Sequence, residues 1–294
     1  MLFDDFERIN GNPAEHGESL YTFLNRAAGE YWQSVRDVLT EWLSHYPEVE
    51  RSTLISRFRR TDRRGFLGAF WELYLHEVFR RLGFEIVLHP AVSGTTHRPD
   101  FRLQLGTAIT FVEAVTIYEP QVDSRDMYPR RNGIVDDHRV IRQRLGEKTR
   151  AYGRQLCAPF MITLISYRPT TDFEELLTGL FGAGSEHPEM IRDRAIHRSR
   201  LVSSNGFWLT NKGTQYQDAS AVLTAFELMP WSVAQSQPWL IANPWASHPL
   251  AIELPFNLVA VDTTTGTIER VETDFQPSVH FGLPPDWPHG PRFS

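Results

Sequence analysis

Residues 98–117 read RPDFRLQLGTAITFVEAVTI, and their pattern indicates the central element of the structure. Apolar and polar residues alternate over Phe101–Leu105, and the following pair, Gly106-Thr107, is suited to a tight turn. Ala108–Ile117 then continues with β-branched and aromatic residues, which favour strands. The stretch therefore predicts a β-hairpin.

The position of the turn sets which residues of the two strands lie opposite each other. With Gly106-Thr107 at the turn, positions whose numbers sum to 213 are paired, so Asp100 faces Glu113. Opposed carboxylates repel each other unless a cation lies between them, and a divalent cation that prefers oxygen ligands fits this place. The alternative is that Asp100 caps a turn and Glu113 is an exposed strand acid. We expect their face of the hairpin to lie mostly outside the core.

Helices and strands surround this hairpin. Upstream, apolar residues at three- and four-residue spacing predict one long helix over 19–46 and another over 66–82, which Gly83 ends. Downstream, the pattern predicts a helix over 137–153 and a buried strand over 159–166. This order indicates an α/β fold with a mixed central sheet flanked by helices.

The hairpin residues carry a resemblance to a known family. Pro99-Asp100, followed on the next strand by Glu113-Ala114-Val115, resembles the PD-(D/E)xK nuclease superfamily, whose fold is restriction-endonuclease-like. The resemblance implies metal-dependent hydrolysis of phosphodiester bonds in nucleic acid, DNA more than RNA. It also implies that Asp100, Glu113 and the carbonyl of Ala114 hold Mg²⁺ or Mn²⁺.

The resemblance extends to both sides of the hairpin and covers about residues 66–166. Glu72 and the run EVFRRLGFEIV are similar to the first helix and strand of Holliday-junction resolvases, which implies a third catalytic acid. A solvated helix acid is the alternative for Glu72. Lys148 and Tyr152, in EKTRAYG, occupy the place of the QxxxY motif of the superfamily's exonuclease branch.

One motif residue departs from the family. Val115 stands where the superfamily has a lysine, and the chain has only two lysines, Lys148 and Lys212. Lys148 shares the apolar stripe of its helix with Ile141 and Tyr152, so we predict that it points inward and takes over the missing lysine's role. Alternatively, its side chain reaches the surface at the edge of the stripe.

The net charge of −6 hides an uneven distribution. Residues 51–154 hold 19 basic and 12 acidic side chains, whereas residues 1–50 hold 3 basic and 10 acidic ones. Most of this positive charge is arginine, whose planar guanidinium suits phosphate oxygens. We therefore predict a basic surface beside the acidic pair that includes Arg130 and Arg131 and that contacts nucleic acid through His97, Arg98, Tyr152, Arg63 and Arg64. The alternative is that each basic cluster is a solvated helix surface and that His97 and Arg98 only flank a turn.

Composition excludes several other classes of protein. The single cysteine, Cys157, forms neither an internal disulfide nor a cysteine-based zinc site. No apolar stretch is long enough for a membrane span, and the first residues, MLFDDFERIN, lack the features of a signal peptide. We expect a soluble cytoplasmic protein with no membrane partner. A homodimer or a partner protein stays open.

These inferences predict three parts: an N-terminal helical extension over 1–65, a nuclease core over 66–166, and a C-terminal part over 167–294 that adds strands to the same sheet and ends in a Pro-rich tail. The predicted function is that of a Mg²⁺- or Mn²⁺-dependent endonuclease, whose catalytic residues are Asp100, Glu113, Lys148 and Glu72. The alternative is a catalytically inactive nuclease-fold protein that binds nucleic acid or another protein, and Val115 favours it.

Overall fold

The computed structural model describes residues 1–118, 137–152, 155–182, 185–191, 194–200 and 205–293. The chain divides into two compact units. Unit 1 consists of Met1–Ile86, Glu227–Gln237 and Gln276–Ser294, and unit 2 of Val87–Phe226 and Pro238–Phe275. The helix predicted over 66–82 therefore belongs with the N-terminal residues in unit 1, whereas the hairpin belongs to unit 2.

Unit 1 is helical and has an aromatic core. Its helices are α1 (Leu20–Arg26), α2 (Glu30–His45), α3 (Glu48–Phe58), α4 (Arg63–Arg81) and, from the C-terminal segment, α7 (Pro277–Phe281). The Phe281 ring lies 4.8 Å from Trp42 and 5.5 Å from Tyr74, so the two ends of the chain share one core. Gly83, with a φ of 82°, follows the end of α4 as predicted.

The single helix predicted over 19–46 is two helices, and that prediction was wrong. Gly29, just before α2, has φ 97° and ψ 157°, a conformation that residues with a Cβ rarely adopt. The backbone N–H of Ala28 donates to the carbonyl of Asn10 at 2.9 Å rather than continuing a helical ladder. The apolar periodicity continues unchanged across this break, and for this reason it predicted a single helix.

A mixed sheet of ten strands lies almost entirely in unit 2. Its order is β1-β2-β3-β4-β9-β10-β11-β12-β6-β5. These strands are β1 (Glu85–Leu88), β2 (Phe101–Leu105), β3 (Ala108–Ile117), β4 (Phe160–Ser166), β5 (Ser185–Ile191), β6 (Arg194–Arg200), β9 (Ala221–Ala225), β10 (Pro238–Ala242), β11 (Asn257–Asp262) and β12 (Thr267–Val271). A separate ribbon is formed by β7 (Leu209–Thr210) and β8 (Gly213–Thr214). The α/β class and the added C-terminal strands are as predicted.

The hairpin of β2 and β3 has the predicted register, since Phe101 pairs with Val112 and Leu103 pairs with Thr110. The next strand, β4, runs parallel to β3, so the chain must cross over between them. That connection contains α5 (Asp137–Tyr152), which packs on the sheet beside α6 (Phe173–Phe181). Residues 119–136, with Arg130 and Arg131, lie outside the described part of the chain.

The hairpin face that we expected mostly outside the core is part-buried at Arg102, Gln104 and Phe111, but its β3 end is buried. Val115 and Ile117 are 3% and 2% exposed and share one apolar cluster with Ile141 and Leu145 of α5. The expectation was wrong at this end because α5 covers it, which the alternation within the hairpin does not reveal. Over the described residues, no helix combines the length and apolarity that a bilayer crossing needs.

Candidate active site

The acidic pair lies where β2 and β3 begin to separate. Asp100 immediately precedes β2, and its Oδ2 accepts a hydrogen bond of 2.7 Å from the backbone N–H of Ala114. The register and the alternation of strand residues place Asp100 and Glu113 on the same face, as predicted. Because the N–H and C=O of one residue point to the same side of a strand, the carbonyl of Ala114 also faces the Asp100 side.

Glu113 is buried, with 4% exposure, and both of its carboxylate oxygens have partners on α5. The Nζ of Lys148 lies 2.5 Å from Oε1, and the hydroxyl of Tyr152 lies 2.5 Å from Oε2. Lys148 and Tyr152 are one helical turn apart, so α5 presents both groups to the same carboxylate. A buried carboxylate needs such partners, because burial without them is costly.

The geometric prediction for Lys148 is confirmed. Its ammonium reaches the acidic pair at Glu113, and its side chain is part-buried rather than extended along the surface. Val115 lies in the apolar cluster under α5 and offers no charge. A cation from a neighbouring helix therefore lies beside Glu113.

Tyr152 positions Glu113. Burial is the main cause that raises the pKa of Tyr152, followed by the negative charge of Glu113 and the hydrogen bond to it, with a further contribution from Asp100. The phenol therefore stays protonated and donates to Glu113. The hydroxyl also lies 3.1 Å from the carbonyl oxygen of Arg98. We predicted that Tyr152 contacts nucleic acid, but its ring is buried beside Phe160, at 5.3 Å between centroids.

The donor set fits a hard divalent cation. Two carboxylates and one backbone carbonyl are oxygen ligands, and Mg²⁺ commonly binds through one or two carboxylates and keeps several waters. Each carboxylate oxygen has two lone pairs, so the hydrogen bonds from Lys148 and Tyr152 leave acceptor capacity on Glu113. Among the described residues, no group of three or more His, Cys, Asp or Glu side chains could hold a metal. A metal at this site would therefore have only the two carboxylates and the Ala114 carbonyl as protein ligands.

Glu72 lies in unit 1, on α4, and is not the solvated acid that we kept as an alternative. It is 4% exposed. The hydroxyl of Tyr46 lies 2.5 Å from its Oε1, and the guanidinium of Arg57 forms an ion pair with its Oε2. Glu72 of α4 thus links the C-cap residue of α2 and a side chain of α3 through its own carboxylate.

The remaining predicted residues are exposed. His97 and Arg98 lie in the segment before Asp100, with the His97 ring 6.2 Å from that of Tyr152 in an edge-on arrangement. Arg63 and Arg64 occupy the first turn of α4 in unit 1. The structure brings Asp100, Glu113, Lys148, Tyr152, His97 and Arg98 together in unit 2.

Sequence reasoning missed a group of cations on the other side of α5. Arg139, Arg142 and Arg150 line an open cleft of about 580 Å³ together with Lys212. The arginines recur on one helical face, so a helical projection of α5 could have found them. No sequence signal connects them to Lys212, which is distant along the chain.

Comparisons of the chain with protein-family models, with curated proteins and with solved structures found no match. The functional assignment therefore depends on the residues of unit 2 and their chemistry.

Proposed function

We propose that the protein is a metal-dependent nuclease of restriction-endonuclease-like fold that hydrolyses phosphodiester bonds, with DNA as the preferred substrate. The contact between Lys148 and Glu113 carries this proposal. A nuclease site of this kind needs a cation beside its acids, and Val115 cannot supply one. Lys148 lies on the inward face of α5, and its ammonium contacts Glu113. A second element therefore supplies the cation that Val115 lacks.

The side chains of the site divide the chemical work among them. Asp100, Glu113 and the Ala114 carbonyl would hold Mg²⁺ or Mn²⁺, which supplies Lewis-acid stabilisation of the charge on the phosphate. The Lys148 ammonium has three N–H donors, of which Glu113 takes one. The others can bind a phosphate oxygen or orient the attacking water. Tyr152 holds the Glu113 carboxylate in a fixed orientation by donating to it.

A second candidate function is nucleic-acid binding or protein interaction without catalysis. Both Glu113 oxygens already accept hydrogen bonds from α5, and the structure places no third acid beside the pair within the described part of unit 2. In this case Lys148 substitutes for a metal ion by neutralising the buried carboxylate. Titration with Mn²⁺ separates the candidates, because the binding protein would take up no ion at Asp100 and Glu113.

Cleavage of supercoiled plasmid DNA in Mg²⁺ or Mn²⁺ tests the proposal. We expect the wild type to produce nicked and linear forms. Asp100→Asn should slow cleavage about a hundredfold or more, because it removes a charge at the metal but keeps an acceptor for the Ala114 N–H. Asp286→Asn, at an exposed position in unit 1, is the matched control. No cleavage of DNA or RNA by the wild type with either ion would contradict the proposal.

A further inference from the structure

Helix α5 carries basic side chains on two opposite faces. Lys148 and Tyr152 point toward β3, where they meet Glu113. At 100° per residue, Arg139, Arg142 and Arg150 project from the opposite side of the same helix. The structure therefore separates one inward lysine from three outward arginines across the width of a single helix, about 10 Å.

The outward arginines form one wall of the open cleft in unit 2. The ribbon of β7 and β8 forms the other wall and contributes Lys212 from its turn. Amide side chains of Gln143 and Gln215 also line the cleft. No aspartate or glutamate is among the described residues that line it. Glu147, three residues before Arg150 on α5, lies outside the lining but interacts electrostatically with Arg150.

The cleft wall is built by specific packing around Tyr216. This residue has a φ of 49°, a left-handed conformation that is strained for a side chain of its size and that persists only when its surroundings hold it. Its ring stacks on Phe207 at 4.7 Å between centroids, and its hydroxyl accepts a hydrogen bond from Arg150. A Cβ at Gly146 would lie 3.0 Å from the Tyr216 hydroxyl, so the glycine lets the ribbon approach α5 closely.

We propose that this cleft binds the phosphate groups of a nucleic-acid backbone, at a place distinct from the acidic pair. The arginine guanidinium matches phosphate oxygens in a bidentate manner, and cations clustered in one cleft are the electrostatic footprint of polyanion binding. The cleft is open to solvent, so a polymeric ligand can reach its cations. The choice of a polynucleotide over a free nucleotide rests on the proposed nuclease function.

Fluorescence anisotropy with labelled single- and double-stranded oligonucleotides tests the proposal. The measurement is made in EDTA, so that no cleavage occurs and the result does not depend on catalysis. Arg139 and Lys212 are exposed, so replacing both with Gln should leave the fold intact. We expect the double variant to bind about tenfold more weakly or worse. The slope of log affinity against log salt should also shrink by about 0.7–0.9 for each phosphate that the variant no longer neutralises.

A matched variant serves as the control for the binding measurement on the cleft variant. Arg144→Gln removes the same charge from an exposed position of α5 outside the cleft lining, so it should weaken binding less than Arg139→Gln. Binding is measured in EDTA, and cleavage is measured separately in Mg²⁺ or Mn²⁺, which keeps the failure of one proposal distinct from the failure of the other. Equal affinities for the wild type and the Arg139→Gln, Lys212→Gln variant, or no binding at all, would overturn the cleft proposal.

A nucleoside triphosphate as competitor distinguishes the two sources of phosphate. Displacement of the oligonucleotide from the wild type only at triphosphate concentrations far above that of the oligonucleotide supports a polynucleotide ligand. If the triphosphate alone binds, and loses affinity in the double variant, the phosphate site stands and its assignment to a polynucleotide is overturned.

Discussion

Lys148 is the residue whose replacement separates an enzyme from a binding protein. Its Nζ lies 2.5 Å from Glu113 Oε1, and Val115 offers no substitute. We predict that Lys148→Ala reduces plasmid cleavage about a hundredfold or more, because the variant lacks a preorganised cation at the phosphate. Lys148→Arg should restore little activity, since a wide planar guanidinium does not replace a compact ammonium.

Arg144→Ala is the matched control for this prediction. Arg144 lies on the same helix, is exposed, and pairs with Glu147 at 3.1 Å, so its removal changes the same charge outside the site. Cleavage rates should stay within about threefold of the wild type. Thermal unfolding of each variant checks that the fold is retained. Full activity in Lys148→Ala would exclude a catalytic role for this lysine.

His76 makes stability depend on pH. It is 3% exposed on α4, its Nδ1 has no hydrogen-bond partner among the described residues, and burial lowers its pKa to about 4. His76 therefore takes up a proton near pH 6.5 in the unfolded chain but only near pH 4 in the folded chain. Stability should fall as the pH is lowered through this window, by up to about 3 kcal/mol from this group.

Urea unfolding between pH 4 and 8 measures this effect. We expect His76→Phe to lose most of the wild-type decline between about pH 6.5 and 4, because an aromatic ring of similar shape cannot take up the proton. His16→Gln, at an exposed position, should keep the decline. Carboxylates also titrate in this range, so only the difference between the two proteins reports on His76. Parallel curves for the wild type and His76→Phe would contradict the assignment.

At the scale of secondary structure, Gly29 separates α1 from α2. Its φ and ψ, 97° and 157°, lie in a region that is almost restricted to glycine, and an added Cβ would meet no atom within 4 Å. Gly29→Ala therefore isolates backbone strain from steric conflict. We predict a loss of about 1–3 kcal/mol in the free energy of unfolding, measured with urea. An unchanged midpoint would show that the junction accepts another conformation.

At the scale of the whole molecule, the C-terminal segment completes the core of unit 1. Phe281 is 3% exposed and packs against Trp42 and Tyr74, far from it in sequence. We predict that Phe281→Ala costs about 3–5 kcal/mol in unfolding free energy, because it leaves a cavity in an aromatic core. Val279→Ala, on the same helix at a position 70% exposed, should change stability by less than about 0.5 kcal/mol. Equal midpoints for the two variants in urea would contradict this packing.

The sequence by itself determined the local features of unit 2. Strand alternation and the chemistry of Gly106-Thr107 set the hairpin and its register, because both depend on residues close in the chain. The spacing of apolar residues likewise placed Lys148 on the inward face of α5, and the hairpin register placed Asp100 opposite Glu113. These predictions needed only the spacing of apolar residues, the position of the turn and the rule that successive strand residues alternate between faces.

Only the tertiary structure decided what lies against those elements. The β3 end of the hairpin face, with Val115, is buried because α5 covers it, and Glu72 is bound by Tyr46, which follows α2, and by Arg57 of α3. The cleft likewise needs Lys212, which the fold brings beside α5 from a distant part of the chain. Contacts between residues far apart in sequence depend on which surfaces exclude water together, and no local periodicity records that choice.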